Sequence, residues 1–216
     1  MKFSNHEQGS LEWHQDRLGR ITASEFHKLL VAGRSKTKVF GDTAESYIYN
    51  IASEIITGMP KADINGVYAL EWGKQWEAAA RASLEFQTDF KIDQVGFAIA
   101  DASDNGFGEL NNYLGFSADG IIHSEKVGVE LKCPVNTEHH LRFICEDEIK
   151  KEYIAQMQFS MMVSNYQKWV FASYDHRVKK RPLHFKIVER DNEFILNCIV
   201  RMTMAIDAIK EIIAKV

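Results

Sequence analysis

The sequence predicts a mixed α/β fold, a central mixed β-sheet with helices on both sides. Three observations lead there. Stretches with helical apolar spacing occupy the first third of the chain, and strand-like runs then alternate with further helices. An apolar content of 45% over 216 residues is enough for a full core. With only three prolines and no repeat, low-complexity tract or Gly-, Ser- or Pro-rich linker, residues 1–216 read as a single domain.

The elements follow in order. Thr22-Ala-Ser-Glu25 has the form of a capping box and predicts a helix to about Ala32, stopped at Gly33. Asp42-Thr-Ala-Glu45 repeats the device ahead of the stripe Tyr47, Ile48, Ile51, Ile55 and Ile56, which ends at Gly58 and Pro60. A third helix, about Val67–Phe86, carries Leu70, Trp72, Trp76, Ala80 and Leu84. Strands are predicted at about Ile92–Ala100, Leu114–Ile122 and Val127–Cys133. A helix over about Lys150–Val163 has Ile154, Met157 and Met161 as its apolar stripe, with Tyr153 and Gln156 sharing another face. Strands Lys168–Tyr174 and Leu183–Val188 and a last helix from Asn192 complete the chain.

Composition excludes several classes. No apolar run approaches the ~20 residues of a membrane span, and MKFSNHEQGS lacks a signal-peptide pattern, so a cytoplasmic protein is expected. Three cysteines suit a reducing compartment and are too few for the four ligands of an iron–sulfur cluster. Side chains of the adjacent His139 and His140 diverge and no HExxH pattern occurs, which leaves no histidine metal site. The net charge of −4 speaks at first sight against nucleic acid. Yet Arg17, Arg20, Lys28, Arg34, Lys36 and Lys38 fall within 22 residues, either as a solvated face or as a local anion-binding surface.

One constellation carries chemistry. In Val127–Cys133, Val129, Leu131 and Cys133 point to one face and Glu130 and Lys132 to the other. A carboxylate and an ammonium on one face of a short apolar strand are not core residues. Phe116 and Ala118 point inward while Ser117 and Asp119 share the opposite face. The polar stretch His123–Lys126 suits a hairpin turn, which would bring Asp119 beside Glu130. Asp, then Glu-x-Lys about ten residues on, is how one metal-dependent nuclease fold builds its site; a solvent-exposed ion pair is the simpler alternative. Glu77 lies one turn before Arg81, away from Trp72, Trp76 and Ala80, and an i,i+4 surface pair would account for it. Tyr153 and Gln156 alone could be a half-buried aromatic and a solvated helix position.

Several blocks together are more specific. WHQDRLGRITASEFH (Trp13–His27), LEWGKQWE (Leu70–Glu77), GFSADG (Gly115–Gly120), VELKCP (Val129–Pro134), YIAQMQFSMMV (Tyr153–Val163) and FASYD (Phe171–Asp175) occur in this order. In this the chain resembles the lambda-type phage exonucleases, the YqaJ-like viral recombinase family of the PD-(D/E)XK nuclease superfamily. The resemblance runs from about Glu12 to beyond Glu189. It implies a type II restriction endonuclease-like fold and an exonuclease that degrades one strand of duplex DNA from its 5′ end. The 3′ single strand left behind would serve a single-strand annealing protein in phage-type recombination, in the cytoplasm of a bacterial host. It implies Mg2+ as cofactor, two ions per site with Mn2+ able to substitute, and a homotrimeric ring around the DNA. Asp119 and Glu130 match the metal-binding carboxylates, Glu77 the added acid, and the Leu131 carbonyl a further ligand. Lys132 matches the catalytic lysine, and Tyr153 and Gln156 residues lining the site. Arg17, Ser24 and Ser117 match those that hold a 5′-phosphate, and Arg34 would line the channel. The segment before Trp13 is short for the family, and Ala118 stands where a proline is usual. A non-catalytic DNA-end-binding scaffold and a related endonuclease are the alternatives; a scaffold has no use for so costly a cluster of charge.

The implied roles have a physical basis. Two Mg2+ ions bridged by carboxylates neutralise both ends of an in-line phosphodiester displacement, and oxygen donors suit Mg2+ or Mn2+ better than Zn2+. Lys132, one strand period from Glu130, can orient or deprotonate the attacking water, and nearby cations would favour its neutral form. Ser24 in the first turn of a helix would gain from the dipole, but Glu25 in the same turn opposes an anion, so Arg17 is the more important member.

Overall fold

The structure is a computed structural model that describes residues 1–33, 38–60 and 67–216; Arg34 and Lys36 lie outside the described residues. Strands β1 (Lys2–Phe3), β2 (Ile21–Thr22), β3 (Phe97–Ile99) and β4 (Leu114–Ser117) form one four-stranded sheet, in the order β1-β3-β4-β2. Strands β5 (Gly120–Ile122), β6 (Val127–Lys132), β7 (Lys168–Tyr174) and β8 (Leu183–Glu189) form a second, in sequence order. The helices are α1 (Leu11–Arg17), α2 (Ala23–Phe26), α3 (Asp42–Thr57), α4 (Val67–Thr88), α5 (Ala102–Asn105), α6 (Thr137–Glu146), α7 (Lys151–Ser164) and α8 (Asn192–Ile213). β2 runs parallel to β4 and β6 to β7; the other pairings are antiparallel. The predicted α/β class, with mixed sheets flanked by helices, is what forms. Among the described residues no helix is long and apolar enough to cross a membrane.

The predicted strand Leu114–Ile122 is broken at Ala118–Asp119, where the chain leaves the first sheet and enters the second. Backbone groups freed by such a break need other partners. The Ala118 carbonyl accepts from Gln8 Nε2 at 2.8 Å, and the Asp119 carbonyl from Arg81 at 3.1 and 3.3 Å. The Asp119 N–H donates to the Val129 carbonyl at 3.0 Å. The predicted hairpin then follows, pairing Gly120 with Val129 and Ile122 with Val127. Of the predicted strand Ile92–Ala100, only Phe97–Ile99 joins a sheet, while Asp93 bridges to Ile121 across the gap between the two sheets.

Neither capping box forms, because stronger partners take the side chains. Thr22 is the N-cap of α2, but its Oγ1 accepts from Arg17, and Glu25 pairs with Lys28. The helix ends at Phe26 and tightens into a 3₁₀ turn, His27–Leu30, short of the predicted Ala32. Gly41 caps α3, with Asp42 and Glu45 drawn to Lys38 at 2.7 and 3.0 Å. The far end of α3 is as predicted, with Gly58 in the left-handed conformation at φ 67°.

Two cores result. The larger lies between the first sheet and α2, α3, α7 and α8; the smaller places Ala80 and Leu84 of α4 against Val129, Leu131, Val170 and Ala172. The predicted alternation of β6 is thus realised: Val129 and Leu131 face α4, leaving Glu130 and Lys132 on the other side. α7 departs from the predicted single stripe. It is buried all round from Ala155 to Ser164, packed against α2, α8, β4 and β7. Its polar residues find partners inside: Ser160 and Ser164 donate to carbonyls one turn back, and Gln158 bonds Glu189 and Asp191.

Candidate active site

Asp119 sits at the sheet switch, half-buried, with Oδ2 accepting the Leu131 N–H at 2.6 Å. The neighbouring carboxylate, Glu130, is only 2% exposed. Lys132 Nζ donates to its Oε1 at 2.5 Å and Gln156 Nε2 to its Oε2 at 2.8 Å, so both oxygens are fixed. Lys132 Nζ also lies 4.8 Å from the centre of the Tyr153 ring, which stacks on Phe171. On α4, Glu77 pairs with Arg81, and Arg81 bonds the Asp119 carbonyl. Asp119, Glu130, Lys132, Tyr153 and Gln156 are therefore gathered as predicted, with Glu77 reaching the group through Arg81. Gln156 is buried rather than solvated, because α7 crosses the polar face of β6.

The electrostatics reflect burial first. Desolvation pushes Glu130 up to about 7, against the opposing pull of Lys132. It raises Asp119 and Glu77 as well, with Lys132 and Arg81 opposing respectively. For Lys132 burial works toward the neutral amine, but Glu130 and Asp119 together outweigh it and hold the ammonium. This is the reverse of the displacement expected beside bound cations, since carboxylates alone set the field here. Cys133 is pushed up to about 12, chiefly by burial, and stays an inert thiol.

As candidate metal ligands these groups are chemically apt but engaged. Among the described residues no three Asp, Glu, His or Cys side chains converge as a ready ligand set. Glu130 is tied to Lys132, Glu77 to Arg81, and Asp119 to a backbone N–H. Carboxylate and carbonyl oxygens are nonetheless the donors a hard cation takes. Binding one requires that Lys132 and Arg81 release their carboxylates.

A second cluster lies two residues upstream. Arg17 Nη1 donates to Ser117 Oγ at 3.3 Å, and Nη2 to Thr22 Oγ1 and Ser24 Oγ at 3.4 and 3.3 Å. Its guanidinium lies 4.2 Å over the Trp13 ring, whose Nε1 also donates to Ser117 at 3.1 Å. Burial draws the Arg17 pKa down from its ordinary value. A buried guanidinium whose hydrogen bonds go to hydroxyls can still accept an anion. The helix-dipole contribution expected at Ser24 is small, because α2 is only four residues long. Thr22 and Trp13 were not assigned from sequence; the i,i+4 spacing of Trp13 and Arg17 on a helix was the available signal. Arg81 was seen only as Glu77's partner, and its grip on the sheet switch has no sequence signature.

The surrounding shell is tied as firmly. Arg177 pairs bidentately with Asp175 at 2.8 Å and donates to the Pro134 and Val135 carbonyls at 2.9 Å, fixing the exit of β6. It also lies 4.9 Å over Trp72 of α4, and His176 stacks 3.8 Å from Trp76.

Acidic residues and a lysine at a sheet switch, on a helix-flanked mixed scaffold, define a restriction endonuclease-like fold. Within that class the chain belongs to the YqaJ-like viral recombinase domain family, matched over residues 12–167. It is similar to an alkaline exonuclease (LHK-Exo) of Laribacter hongkongensis, with a TM-score of 0.79, 26% identity and 95% of each chain covered. The same exonuclease in complex with dAMP gives a TM-score of 0.80. A phage-related exonuclease of Haemophilus somnus 129PT shares the fold at 18% identity, with a TM-score of 0.71 and 94% and 98% of the two chains covered. ExoD of Escherichia coli (strain K12) is 33% identical over 70 residues, which are 32% of this chain and 80% of ExoD. Fold, family and neighbours support a nuclease or recombinase role.

Proposed function

We propose that the protein is an Mg2+-dependent 5′→3′ exonuclease acting on the ends of double-stranded DNA, leaving a 3′ single strand for an annealing protein. The observation that carries this reading is the adjacency of two sites on one segment. Ser117 belongs to the Arg17 cluster and Asp119 to the acidic one. Two strand residues span roughly 7 Å, on the scale of a nucleotide. A 5′-phosphate on Arg17 therefore sets the next phosphate of the strand beside Asp119, Glu130 and Lys132.

Asp119, Glu130, Glu77 and the Leu131 carbonyl are the groups assigned to Mg2+, with Mn2+ as a substitute. The bound ions would stabilise charge on the phosphodiester and on the leaving 3′ oxygen. Lys132 holds the attacking water and takes up or shares its proton, once Glu130 no longer saturates the ammonium. Gln156 keeps Glu130 in one orientation, the Leu131 N–H does the same for Asp119, and Tyr153 supports Lys132 from below. Arg17, with Ser24 and Ser117, selects a phosphorylated 5′ end. A ring of three subunits around the duplex, in a bacterial cytoplasm and with phage or prophage origin, completes the reading.

The test uses linear duplex labelled at either 5′ or 3′ ends, and covalently closed circular duplex, with Mg2+, Mn2+ or EDTA. Release of 5′-terminal mononucleotides from linear DNA only, abolished by EDTA, is expected. Cleavage of the circle would mark an endonuclease, and digestion of neither substrate an end-binding scaffold.

A further inference from the structure

A cavity of about 350 Å³ opens beside Lys132 and shares none of its lining with the Arg17 cluster. Its size is at the lower end of the ~300–1,000 Å³ typical of small-ligand sites. The exit of β6 and the helices α6 and α7 enclose it. Phe143, Phe171, Ile149 and Val135 make apolar walls, and Lys132 and Lys150 stand at one side. Both ammonium groups converge on the Tyr153 ring, at 4.8 and 5.7 Å from its centre. Glu148 also lines the cavity and disfavours a second anion inside it. A ligand with a phosphate at the two lysines and an apolar planar body fits this distribution of charge.

Order along the chain adds a direction. The Arg17 cluster includes Ser117; Asp119 follows and bonds the Leu131 N–H; Glu130 and Lys132 flank that residue; the cavity begins at Lys132. A strand with its 5′-phosphate on Arg17 and its scissile phosphate at Lys132 therefore continues into the cavity. We propose that the cavity seats the nucleoside on the 3′ side of the scissile phosphate, with its base unpaired. Apolar and aromatic walls accept any of the four bases. A volume this small holds one nucleoside and excludes a base pair, so the second nucleotide of the digested strand leaves the duplex before the first is cut. The inference rests on the exonuclease reading above and adds the subsite that melts the second pair.

The experiment measures first-turnover release of a labelled 5′-terminal nucleotide by the full chain with Mg2+. Three duplexes are compared: intact, abasic at the second nucleotide of the digested strand, and abasic at the third. A lost base pair eases fraying, so a cavity with no role predicts equal or faster release from the second-position duplex. The proposal predicts the opposite there, slowing of roughly fivefold or more, from the lost base contacts. Third-position removal should leave the rate unchanged. Ile149→Trp, which fills the cavity, should slow the intact duplex similarly and erase the penalty for the second-position abasic site. Its retained binding of 5′-phosphorylated ends would show that it folds. Release from the second-position duplex at or above the intact rate, in the unmodified protein, overturns the cavity assignment and leaves the exonuclease reading standing. No release from any duplex, intact included, overturns both.

Discussion

Lys132 and Arg17 divide the proposed chemistry between them. Lys132 bonds Glu130 and no other carboxylate among the described residues. Lys132→Ala should therefore abolish cleavage while sparing Mg2+ binding and end binding, and calorimetry that finds no bound Mg2+ in this variant would refute the assignment to the water. Asp119→Ala should lose both cleavage and metal. Arg17→Ala removes one charge-assisted phosphate contact, so the preference for 5′-phosphate over 5′-hydroxyl ends should fall roughly ten- to a hundredfold. Equal slowing on both ends would mean that Arg17 does not read the phosphate. Asp175 supplies a pH dependence of stability. Burial alone would raise its pKa, but the Arg177 guanidinium and N–H outweigh this and bring it down to about 2. A depressed carboxylate stabilises the fold above its ordinary range and loses that contribution as pH falls from about 4 toward 2. Asp175→Asn should then cost on the order of 1–2 kcal/mol at neutral pH and less in acid. Denaturant midpoints at pH 7 and pH 3 check the sign.

At the scale of elements, Arg81 joins α4 to the sheet switch. Arg81→Met would leave the buried Asp119 carbonyl short of its donors, a penalty of about 1–3 kcal/mol, and free Glu77. A lowered thermal midpoint together with a changed Mg2+ requirement is expected; an unaltered Mg2+ titration would show that Arg81 serves the fold alone. The hairpin that pairs Asp119's strand with Glu130's was legible because apolar alternation brackets a polar turn. The break before it was not, since it depends on Gln8 and Arg81, 110 and 38 residues distant along the chain. α1 escaped notice because it buries none of its residues, and α6 because only His140 and Phe143 are buried on it. The capping boxes misled for an electrostatic reason: Arg17, Lys28 and Lys38 compete better for those side chains than backbone N–H groups do. In α7 the glutamines and serines disguised a buried helix, because their partners lie on other strands or one turn back.

For the whole molecule, the proposed ring makes a mass prediction. A chain of this length has a radius of gyration of roughly 17 Å, too small to enclose a duplex alone. Head-to-tail interfaces that close on three copies would do so. Light scattering should give a trimer, and a monomer or dimer across the working concentrations would sink the ring while sparing the catalytic assignments. The basic stretch with Arg34 is proposed to face the channel; phosphate contacts there should make processivity fall as ionic strength rises.

Gln8 gives the amino terminus a part in when the enzyme becomes active. Its amide bridges the Val95 and Ala118 carbonyls, at 3.0 and 2.8 Å, and so fastens the start of the chain to the residue before Asp119. Contacts of such long sequence separation are costly to close and form late in folding. Refolding should therefore restore helical signal before nuclease activity. Deleting the first eight residues should leave a chain that still regains its helices but in which Asp119 is poorly held, so that activity returns incompletely however long refolding is allowed to run.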